Sequence, residues 1–277
     1  MNVCVTILVD NQVNRADRLL AEHGLCLLVE SGESKVLLDA GQTDVCLKNA
    51  PRLGADFGGL STVVLSHGHF DHGGGLPSLL RKVEGVEVVA HPGVFARRYA
   101  RPRGQEDRYI GLRYDAASLA KRGAAVRLES QPREIAGGLL TTGSIPRVTS
   151  FEEDDPHFWV KTDGEWQPDH FEDDQALVAR TGKGLVVLLG CAHAGVINTL
   201  RHAVKVAGDD GIRAVVGGLH LGPASSQRTE QTVAALREMG LEQVVACHCT
   251  SFAARMRLHA GLGERFMNGG VGLKLTF

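Results

Sequence analysis

A run of four potential metal ligands directly after an apolar strand limits most strongly what this chain can fold into. His67, His69, Asp71 and His72 lie within six residues, and the preceding segment 61–66, STVVLS, is typical of a buried strand. Three consecutive glycines follow the run and allow the backbone to pass closely beside it. A strand end that leads into such a loop can direct several side chains into one small volume. The pattern therefore predicts a metal site at a sheet edge.

The donor types limit which ions this run could bind. Imidazole and carboxylate groups together suit Zn, Mn and Fe, so we predict divalent metal ions as cofactors, with Zn favoured and Mn or Fe as alternatives. Four donors exceed what a single tetrahedral ion with an open position requires, and we therefore expect one or two ions. The competing interpretation is a polar turn that contains histidines by chance.

The overall composition excludes several classes of protein. The 277 residues include 30 Lys and Arg against 32 Asp and Glu, a net charge of −2, which argues against a general nucleic-acid-binding protein. Six unevenly spaced cysteines do not form a disulfide framework. The first residues do not resemble a signal peptide, and the longest apolar stretch, 184–197, is too short to span a bilayer. We expect a cytoplasmic protein with a small-molecule partner, without nucleic-acid or membrane partners, and a homodimer as the default assembly.

Short apolar runs alternate with helical patterns in both halves of the chain. Strands are predicted at 3–9, 25–30, 35–40, 61–66, 86–92, 175–181, 183–190, 212–218, 243–248 and about 270–276. Helices are predicted at 44–54, 76–83, 195–207, 225–239 and 250–260. This order predicts a single α/β domain over 1–277, an αββα sandwich with helices outside two central sheets.

Two segments interrupt this order. Residues 93–125 lose apolar periodicity and gain arginines and tyrosines, and residues 151–174 are acidic and irregular. We predict a loop or lid insertion at about 93–125, in which Arg97 and Arg98 hold a substrate phosphate or carboxylate while tyrosines stack on a planar ring. The alternative is a solvated surface loop. Arg147 is a further candidate for binding substrate.

Three later histidines also follow predicted strands. His193 comes after the run LVVLLG, and His220 and His248 come after the strands at 212–218 and 243–248. We expect all three at the sheet edge that carries the first run. His220 has three possible functional roles: metal ligand, contact of a substrate phosphate, or proton donor. The alternative for His220 is a buried structural histidine.

Three cysteines lie close to these histidines in the sequence. Cys191 follows Gly190 at a strand end, where it is either a thiolate ligand or a small buried strand residue. Cys247 and Cys249 flank His248, but the sequence offers no second pair at zinc-finger spacing. We therefore interpret these two cysteines as neighbours of a ligand rather than as a structural zinc site.

The segment LSHGHFDHGGGL at 65–76 resembles the signature of the metallo-β-lactamase superfamily. Further segments resemble its dihydropteroate-synthase-like branch, which includes the archaeal enzyme that joins a dihydropterin pyrophosphate to ribofuranosyl-aminobenzene 5′-phosphate. These segments are DN at 10–11, AEHGL at 21–25, LLDAGQTDVCLKNA at 37–50, HPGVF at 91–95, TGSIPR at 142–147, GCAHAG at 190–195, GGLHL at 217–221 and CHCTS at 247–251. The resemblance implies an αββα fold with a site for one or two metal ions.

The resemblance also implies a division of the ligands between two metals. His67 and His69 match ligands of the first metal, Asp71 and His72 match the second, and His248 matches the histidine that completes the second site. We assign His193 to the first metal. The sequence departs from the superfamily pattern in two ways: TGSIPR lacks a further expected histidine, and Cys191 stands where a bridging aspartate is common.

Together these features indicate a metal-dependent hydrolase or transferase that acts on a phosphorylated or pyrophosphorylated small molecule, with pterin-related compounds among the candidates. Asp71 would orient the attacking water while it ligates, and His220 is the second candidate catalytic residue. The alternatives are a metal-binding sensor or signalling protein with little turnover, and a general phosphodiesterase. The net charge disfavours an RNA-processing nuclease.

Overall fold

Two seven-stranded sheets and one four-stranded sheet form the β-structure of the computed structural model, which describes residues 2–15, 18–136, 138–208 and 211–277. In chain order the strands are β1 (Val3–Val9), β2 (Cys26–Ser31), β3 (Ser34–Leu38), β4 (Leu60–Val64), β5 (Glu87–Ala90), β6 (Arg98–Ala100), β7 (Arg108–Tyr109), β8 (Ala125–Leu128), β9 (Arg133–Ala136), β10 (Leu139–Thr141), β11 (Phe158–Thr162), β12 (Glu165–Pro168), β13 (Leu177–Thr181), β14 (Gly184–Leu189), β15 (Ile212–Gly218), β16 (Gln243–Cys247), β17 (Phe266–Asn268) and β18 (Lys274–Thr276). The first large sheet has the order β18-β1-β2-β3-β4-β5-β8, and the second has the order β17-β16-β15-β14-β13-β10-β9.

The helices of the described ranges are short in the first half and longer in the second. They are α1 (Val45–Arg52), α2 (Phe70–Gly73), α3 (Leu76–Leu79), α4 (Ala116–Ala120), α5 (Val196–Ala207), α6 (Ser226–Glu238) and α7 (Phe252–Leu262). The side chains of Ser225 and Ser251 accept hydrogen bonds from backbone N–H groups in the first turns of α6 and α7, which fixes where these helices begin. The helix predicted at 76–83 is shorter than expected, and only its first four residues are α-helical.

The two large sheets pack face to face through an apolar layer. Ile7 and Leu27 of the first sheet and Leu188, Val216 and Val245 of the second are fully buried members of one cluster. Side chains alternate across a strand, so the opposite faces of the buried strands meet the helices. Helices α1, α3 and α4 contribute to the cluster outside the first sheet, and α5, α6 and α7 contribute to the cluster outside the second. The predicted αββα sandwich is confirmed.

The four-stranded sheet has the order β12-β11-β6-β7 and lies where the sequence suggested irregular structure. Strands β6 and β11 pair antiparallel with Trp159 opposite Tyr99, so the segments 93–125 and 151–174 form one unit. Strands β6 and β7 have only three and two residues, and β11 and β12, with five and four, contain no buried residue, so none shows the alternation of a half-buried strand. Towards the end of 93–125, α4 packs outside the first large sheet, and β8 begins at Ala125 as an edge strand of that sheet. We call the four-stranded sheet the lid sheet.

Arg98 on β6 is buried rather than turned toward solvent. Its Nε lies 2.7 Å from Asp169 Oδ2, and its Nη2 lies 2.7 Å from Asp173 Oδ1. Its Nη1 donates to the carbonyl oxygens of Gly93 and Val94. Only 3% of Arg98 is exposed, so its donors are committed within the protein. This corrects the expectation that Arg98 binds substrate, because the guanidinium instead joins the lid sheet to the segment at 169–173.

The apolar stretch at 184–197 belongs to the core of the sandwich. It forms β14 and the first turn of α5, and its apolar residues are buried. Among the described residues, no helix combines the length and the apolar character needed to cross a bilayer. All six cysteines are free thiols, as expected for a chain without a disulfide framework.

Replacing Arg98 with methionine should lower the free energy of unfolding by about 3–5 kcal/mol, because two buried carboxylates lose their cation. Denaturant unfolding followed by circular dichroism measures this change. The control is Arg127→Met, because Arg127 forms an ion pair with Glu87 through a side chain that is 64% exposed. That substitution should cost about 0–1 kcal/mol. Equal losses for both variants would show that the Arg98 pairs contribute no more than surface contacts.

Candidate metal centre

The predicted ligands come together at one edge of the sandwich, where strands of both large sheets end. The loop after β4 carries His67 to His72, and the loops after β14, β15 and β16 carry His193, His220 and His248. Strand β4 runs parallel to β3 and β5, and β15 runs parallel to β14 and β16, so within each sheet these strands end on the same side. Ala192, His220 and His248 have left-handed backbones, with φ of 58°, 46° and 46°. Such conformations are unfavourable for non-glycine residues and cluster at functional sites.

The first cluster consists of His67, His69 and His193. One ring nitrogen from each lies within 4.8 Å of the others. In the described part of the chain, Nε2 of His67, Nε2 of His69 and both ring nitrogens of His193 are buried without a hydrogen-bond partner. A buried unpaired nitrogen is unfavourable unless something binds it. These nitrogens are therefore placed to bind a cation between them.

The hydrogen bonds behind His67 set its tautomer. Ser66 Oγ donates to Asp39 Oδ2 at 2.7 Å, which uses the only proton of the hydroxyl. At 2.9 Å from His67 Nδ1, the same oxygen must therefore accept from that nitrogen. The lone pair of His67 is consequently on Nε2, the atom that faces the cluster.

The second cluster consists of Asp71, His72 and His248. His72 Nδ1 donates to Asp39 Oδ2 at 2.6 Å, so the lone pair of His72 is on Nε2. His248 Nδ1 lies 2.8 Å from Asn11 Oδ1, an oxygen that also accepts from the Gly24 N–H, so the lone pair of His248 is likewise on Nε2.

In the neutral rings, the two Nε2 lone pairs of the second cluster face each other. The Nε2 atoms of His72 and His248 are 3.1 Å apart, and Asp71 Oδ2 lies 3.2 Å from His248 Nε2 and 3.8 Å from His72 Nε2. Ligands about 2.0–2.1 Å from a tetrahedral ion are roughly 3.3–3.4 Å apart. The spacing of these three atoms therefore fits a divalent ion.

Cys191 lies between the two clusters. Its Sγ is 3.2 Å from His72 Nε2. It is within 4.8 Å of ring nitrogens of His67 and His72 in one group, and of His193 and His220 in another. Burial raises the pKa of this thiol, whereas a bound cation would lower it. Cys191 therefore occupies a position from which one thiolate could contact ions in both clusters.

The electrostatic environment differs between the clusters. Burial and the neighbouring histidines hold the pKa values of His67 and His193 well below the usual range, so their rings stay neutral, as metal ligands require. Burial also opposes protonation of His72, but Asp39 and Asp71 outweigh it and raise its pKa to about 9. The second cluster thus lies in a negative potential that favours a cation.

His220 follows the end of β15 and is buried, with 6% of its surface exposed. Neither of its ring nitrogens has a hydrogen-bond partner within 3.5 Å among the described residues, and Asp155 Oδ2 lies 3.9 Å from Nε2. Burial lowers the pKa of His220, but Asp155 and Cys249 outweigh this effect and raise it to about 9. A cavity of about 320 Å³ opens beside His220, lined by Phe151, Glu153, Asp154, Asp155, Pro156, His157, Pro223, Ala224, Ser225 and Arg228.

Two aromatic side chains form a wall of the first cluster. Phe171 stacks on His193 with ring centroids 3.8 Å apart and an angle of 1° between the rings. Phe158, from the lid sheet, lies 5.4 Å from His69 and 6.0 Å from His220 by ring centroids. The lid sheet therefore contributes apolar surface next to the candidate ligands and limits their exposure to water.

The remaining predicted substrate ligands lie elsewhere. The Arg147 guanidinium donates to the carbonyl oxygens of His193 and Ala194 and pairs with Asp154. Its role is therefore to hold the loop that carries His193, which corrects the expectation of a substrate contact. Arg97 directly precedes β6 and is exposed, and its Nη2 lies 3.4 Å from the Tyr99 hydroxyl.

Four residues at the centre were not predicted from the sequence. Asp39 and Ser66 orient His67 and His72, as described above, and two further residues are Asn11 and His23. His23 Nε2 lies 3.1 Å from Asp71 Oδ2, although His23 does not follow a strand. The only signal for it was the segment AEHGL, which contributed to the family resemblance without suggesting a role.

If Cys191 ligates an ion, cobalt-substituted protein should show a thiolate-to-cobalt charge-transfer band in the near ultraviolet. We expect Cys191→Ser to abolish this band, because serine removes the sulfur next to His72 Nε2. The control is Cys247→Ser, since Cys247 is buried in the apolar layer between the sheets. A band that persists in Cys191→Ser would assign Cys191 to packing alone.

Metal affinity should depend on pH at the second cluster. His72, with a pKa raised to about 9, must lose a proton before it ligates, so the affinity should fall by about tenfold per pH unit below 9. Calorimetry in buffers of different ionisation enthalpy measures the proton released. The histidines of the first cluster should release none, because His67 and His193 are already neutral, so any proton released there would come from Cys191. Affinity that is constant from pH 6 to 8 at both positions would contradict this assignment.

Comparisons with known proteins agree with this geometry. A family model described as the metallo-β-lactamase superfamily matches residues 20–247. A protein of Methanocaldococcus jannaschii described only as uncharacterized is 30% identical over 256 residues, which is 92% of this chain and 93% of that protein. The 7,8-dihydropterin-6-methyl-4-(β-D-ribofuranosyl)-aminobenzene-5′-phosphate synthase of the same organism is 28% identical over 285 residues, which covers 94% of this chain and 95% of the synthase.

A solved structure is similar over nearly the whole chain. It is the crystal structure of Tm1679, a metal-dependent hydrolase of the β-lactamase superfamily. The TM-score is 0.83 and the sequence identity 33%, and the match covers 99% of this chain and 98% of the other. Fold, candidate ligands and family match therefore lead to one conclusion: this chain belongs to the metallo-β-lactamase superfamily.

Proposed function

We propose that the chain is a metal-dependent hydrolase or transferase acting on a phosphorylated or pyrophosphorylated small molecule, with pterin-related compounds as the first candidates. One observation carries the proposal: lone pairs of buried nitrogen and oxygen ligands converge in two adjacent clusters, with the Cys191 sulfur between them. The superfamily binds one or two divalent metals. The similarity to a pterin-related phosphate synthase and to a metal-dependent hydrolase supports the substrate class and both reaction types.

Different residues of the chain have different roles in the proposed reaction. Divalent ions, when bound, supply Lewis-acid stabilisation of the charge that develops on a phosphoryl group. Asp71 Oδ2 faces the second cluster and can accept a hydrogen bond from an attacking water or amine. Asp155 and Cys249 raise the pKa of His220 to about 9, which favours its role as a proton donor to a phosphoryl or leaving-group oxygen.

The cavity beside His220 fits the remainder of a small substrate. Arg228 lines it, and its Nε is buried without a hydrogen-bond partner among the described residues. Phe151 and Pro223 supply apolar surface, and Ser225 begins helix α6 at the same cavity. Arg228 and the helix N-terminus can contact an anionic group, whereas Glu153, Asp154 and Asp155 in the same lining can accept hydrogen bonds from amino groups. The apolar residues favour a ring. The volume of about 320 Å³ suits a small molecule better than a polymer.

A substrate panel on the metal-loaded protein tests the proposal. Phosphate monoesters, phosphate diesters and pyrophosphate esters, including a pterin methyl pyrophosphate, are each incubated with and without an arylamine. Release of phosphate without the amine indicates hydrolysis, whereas amine-dependent release of pyrophosphate indicates transfer. Turnover of diesters alone would favour a general phosphodiesterase. Metal binding without turnover of any of these substrates would favour a sensor and overturn the proposal.

The role proposed for His220 predicts the kinetics of His220→Gln. We expect kcat to fall by about 10²- to 10⁴-fold, because the variant cannot donate a full proton to the leaving oxygen. Metal content should stay unchanged if His220 is not a ligand. The control is His202→Gln, a half-buried histidine on α5 whose ring contacts the Thr142 carbonyl. Loss of metal from His220→Gln would instead identify His220 as a ligand.

A further inference from the structure

His23 is an exposed histidine whose chain segment is built against the metal loop. Leu25 N donates to the Asp71 carbonyl oxygen at 3.3 Å. A Cβ atom at Gly24 would lie 2.5 Å from that same oxygen, so only glycine allows this close approach. On the other side, the Glu22 carboxylate accepts from the backbone N–H groups of Gln42 and Thr43. The position of His23 relative to Asp71 is therefore fixed by the backbone on both sides of it.

Asn11 determines which nitrogen of His23 carries the proton. Asn11 Oδ1 accepts from the Gly24 N–H at 3.2 Å, and a backbone N–H can only donate, so this atom is the amide oxygen. Asn11 Nδ2, 3.3 Å from His23 Nδ1, must then be the donor in that contact. The neutral ring of His23 consequently carries its proton on Nε2. That nitrogen lies 3.1 Å from Asp71 Oδ2.

This proton position decides between two roles for His23. Donor atoms of His23, Asp71 and His248 lie within 4.8 Å of one another, so ligation by His23 is sterically feasible. Ligation through Nε2 would move the ring proton to Nδ1, where it would face the N–H of Asn11 and lose that hydrogen bond. Donation from Nε2–H to the Asp71 carboxylate keeps every hydrogen bond of the network. The network therefore favours donation over ligation.

We propose that His23 is a positioning residue of the second metal position, which holds Asp71 Oδ2 through its Nε2–H and does not bind the ion itself. Asn11 accepts from His248 and donates to His23, so it orients a ligand and the residue that holds another ligand. Hydrogen bonds to ligating groups typically affect metal affinity by about 10- to 100-fold. The inference rests on the dinuclear centre of the proposed function and is independent of the substrate.

The exposure of His23 allows an effect on metal affinity to be separated from an effect on stability. Its side chain is 60% exposed, so its replacement should change stability little. Stepwise zinc affinities of the full chain are measured by chelator competition at fixed pH for the wild type, His23→Ala and His23→Gln. Glutamine places an amide N–H close to the position of His Nε2 but is a poor zinc ligand. His259→Ala, an exposed histidine on α7, is the matched control.

We expect His23→Ala to weaken one zinc position by about 10- to 100-fold and to leave the other unchanged. His23→Gln should restore most of the lost affinity, because it keeps the donor to Asp71. In the His72→Ala background, where the second cluster is already incomplete, His23→Ala should have no further effect.

Three results would overturn the proposal. Equal weakening by alanine and glutamine would make His23 a ligand. Unchanged affinity in His23→Ala, whether the wild type binds one ion or two, would leave His23 without a role in metal binding. Weakening of both positions together with a lower melting temperature would indicate a general structural role. Since no substrate is used, failure of the proposed enzymatic function would not alter any of these readouts.

Discussion

The Asp39 carboxylate is the interaction on which the candidate centre depends. Its Oδ2 accepts from His72 Nδ1 and from Ser66 Oγ, and its Oδ1 accepts from Ser66 N. Ser66 Oγ donates its proton to Asp39 and therefore accepts from His67 Nδ1. One carboxylate thus sets the ring orientation of a candidate ligand in each cluster. Asp39 itself follows β3 directly, is fully buried and has a left-handed backbone with φ of 62°. Because β3 pairs with β4, Asp39 at the end of β3 lies next to the segment after β4 that carries His67 and His72.

The two clusters that depend on Asp39 are chemically unequal. The first offers three histidines kept neutral by burial, whereas the second adds the Asp71 carboxylate and the electrostatic influence of Asp39. A divalent ion at the second position would therefore be better neutralised by the protein, and an ion at the first would keep more of its charge for an anionic substrate. Cys191 lies between them in place of the common bridging carboxylate, which offers both positions a softer donor.

The sandwich and most of the candidate ligands could be predicted because both depend on local patterns. Apolar runs mark buried strands, and a histidine directly after such a run can only lie near a sheet edge. Other features depend on contacts between distant segments. His23 and Asn11 gain their roles only where the start of the chain meets Asp71 and His248. The orientation of Arg98 could not be predicted from its neighbours in the sequence, since the two carboxylates with which it pairs lie more than 70 residues further along the chain.

Asp173 connects the lid sheet to the metal loop. One of its oxygens pairs with Arg98 on β6, and the other accepts from the N–H of Gly68, which lies between the candidate ligands His67 and His69. A Cβ atom at Gly68 would collide with the Val94 carbonyl oxygen, so the loop packs tightly against Val94 at this point. The lid strand is therefore joined, through Arg98 and Asp173, to the backbone between two candidate metal ligands. This continuous chain of contacts makes the position of the lid sheet part of the framework that sets the spacing of His67 and His69.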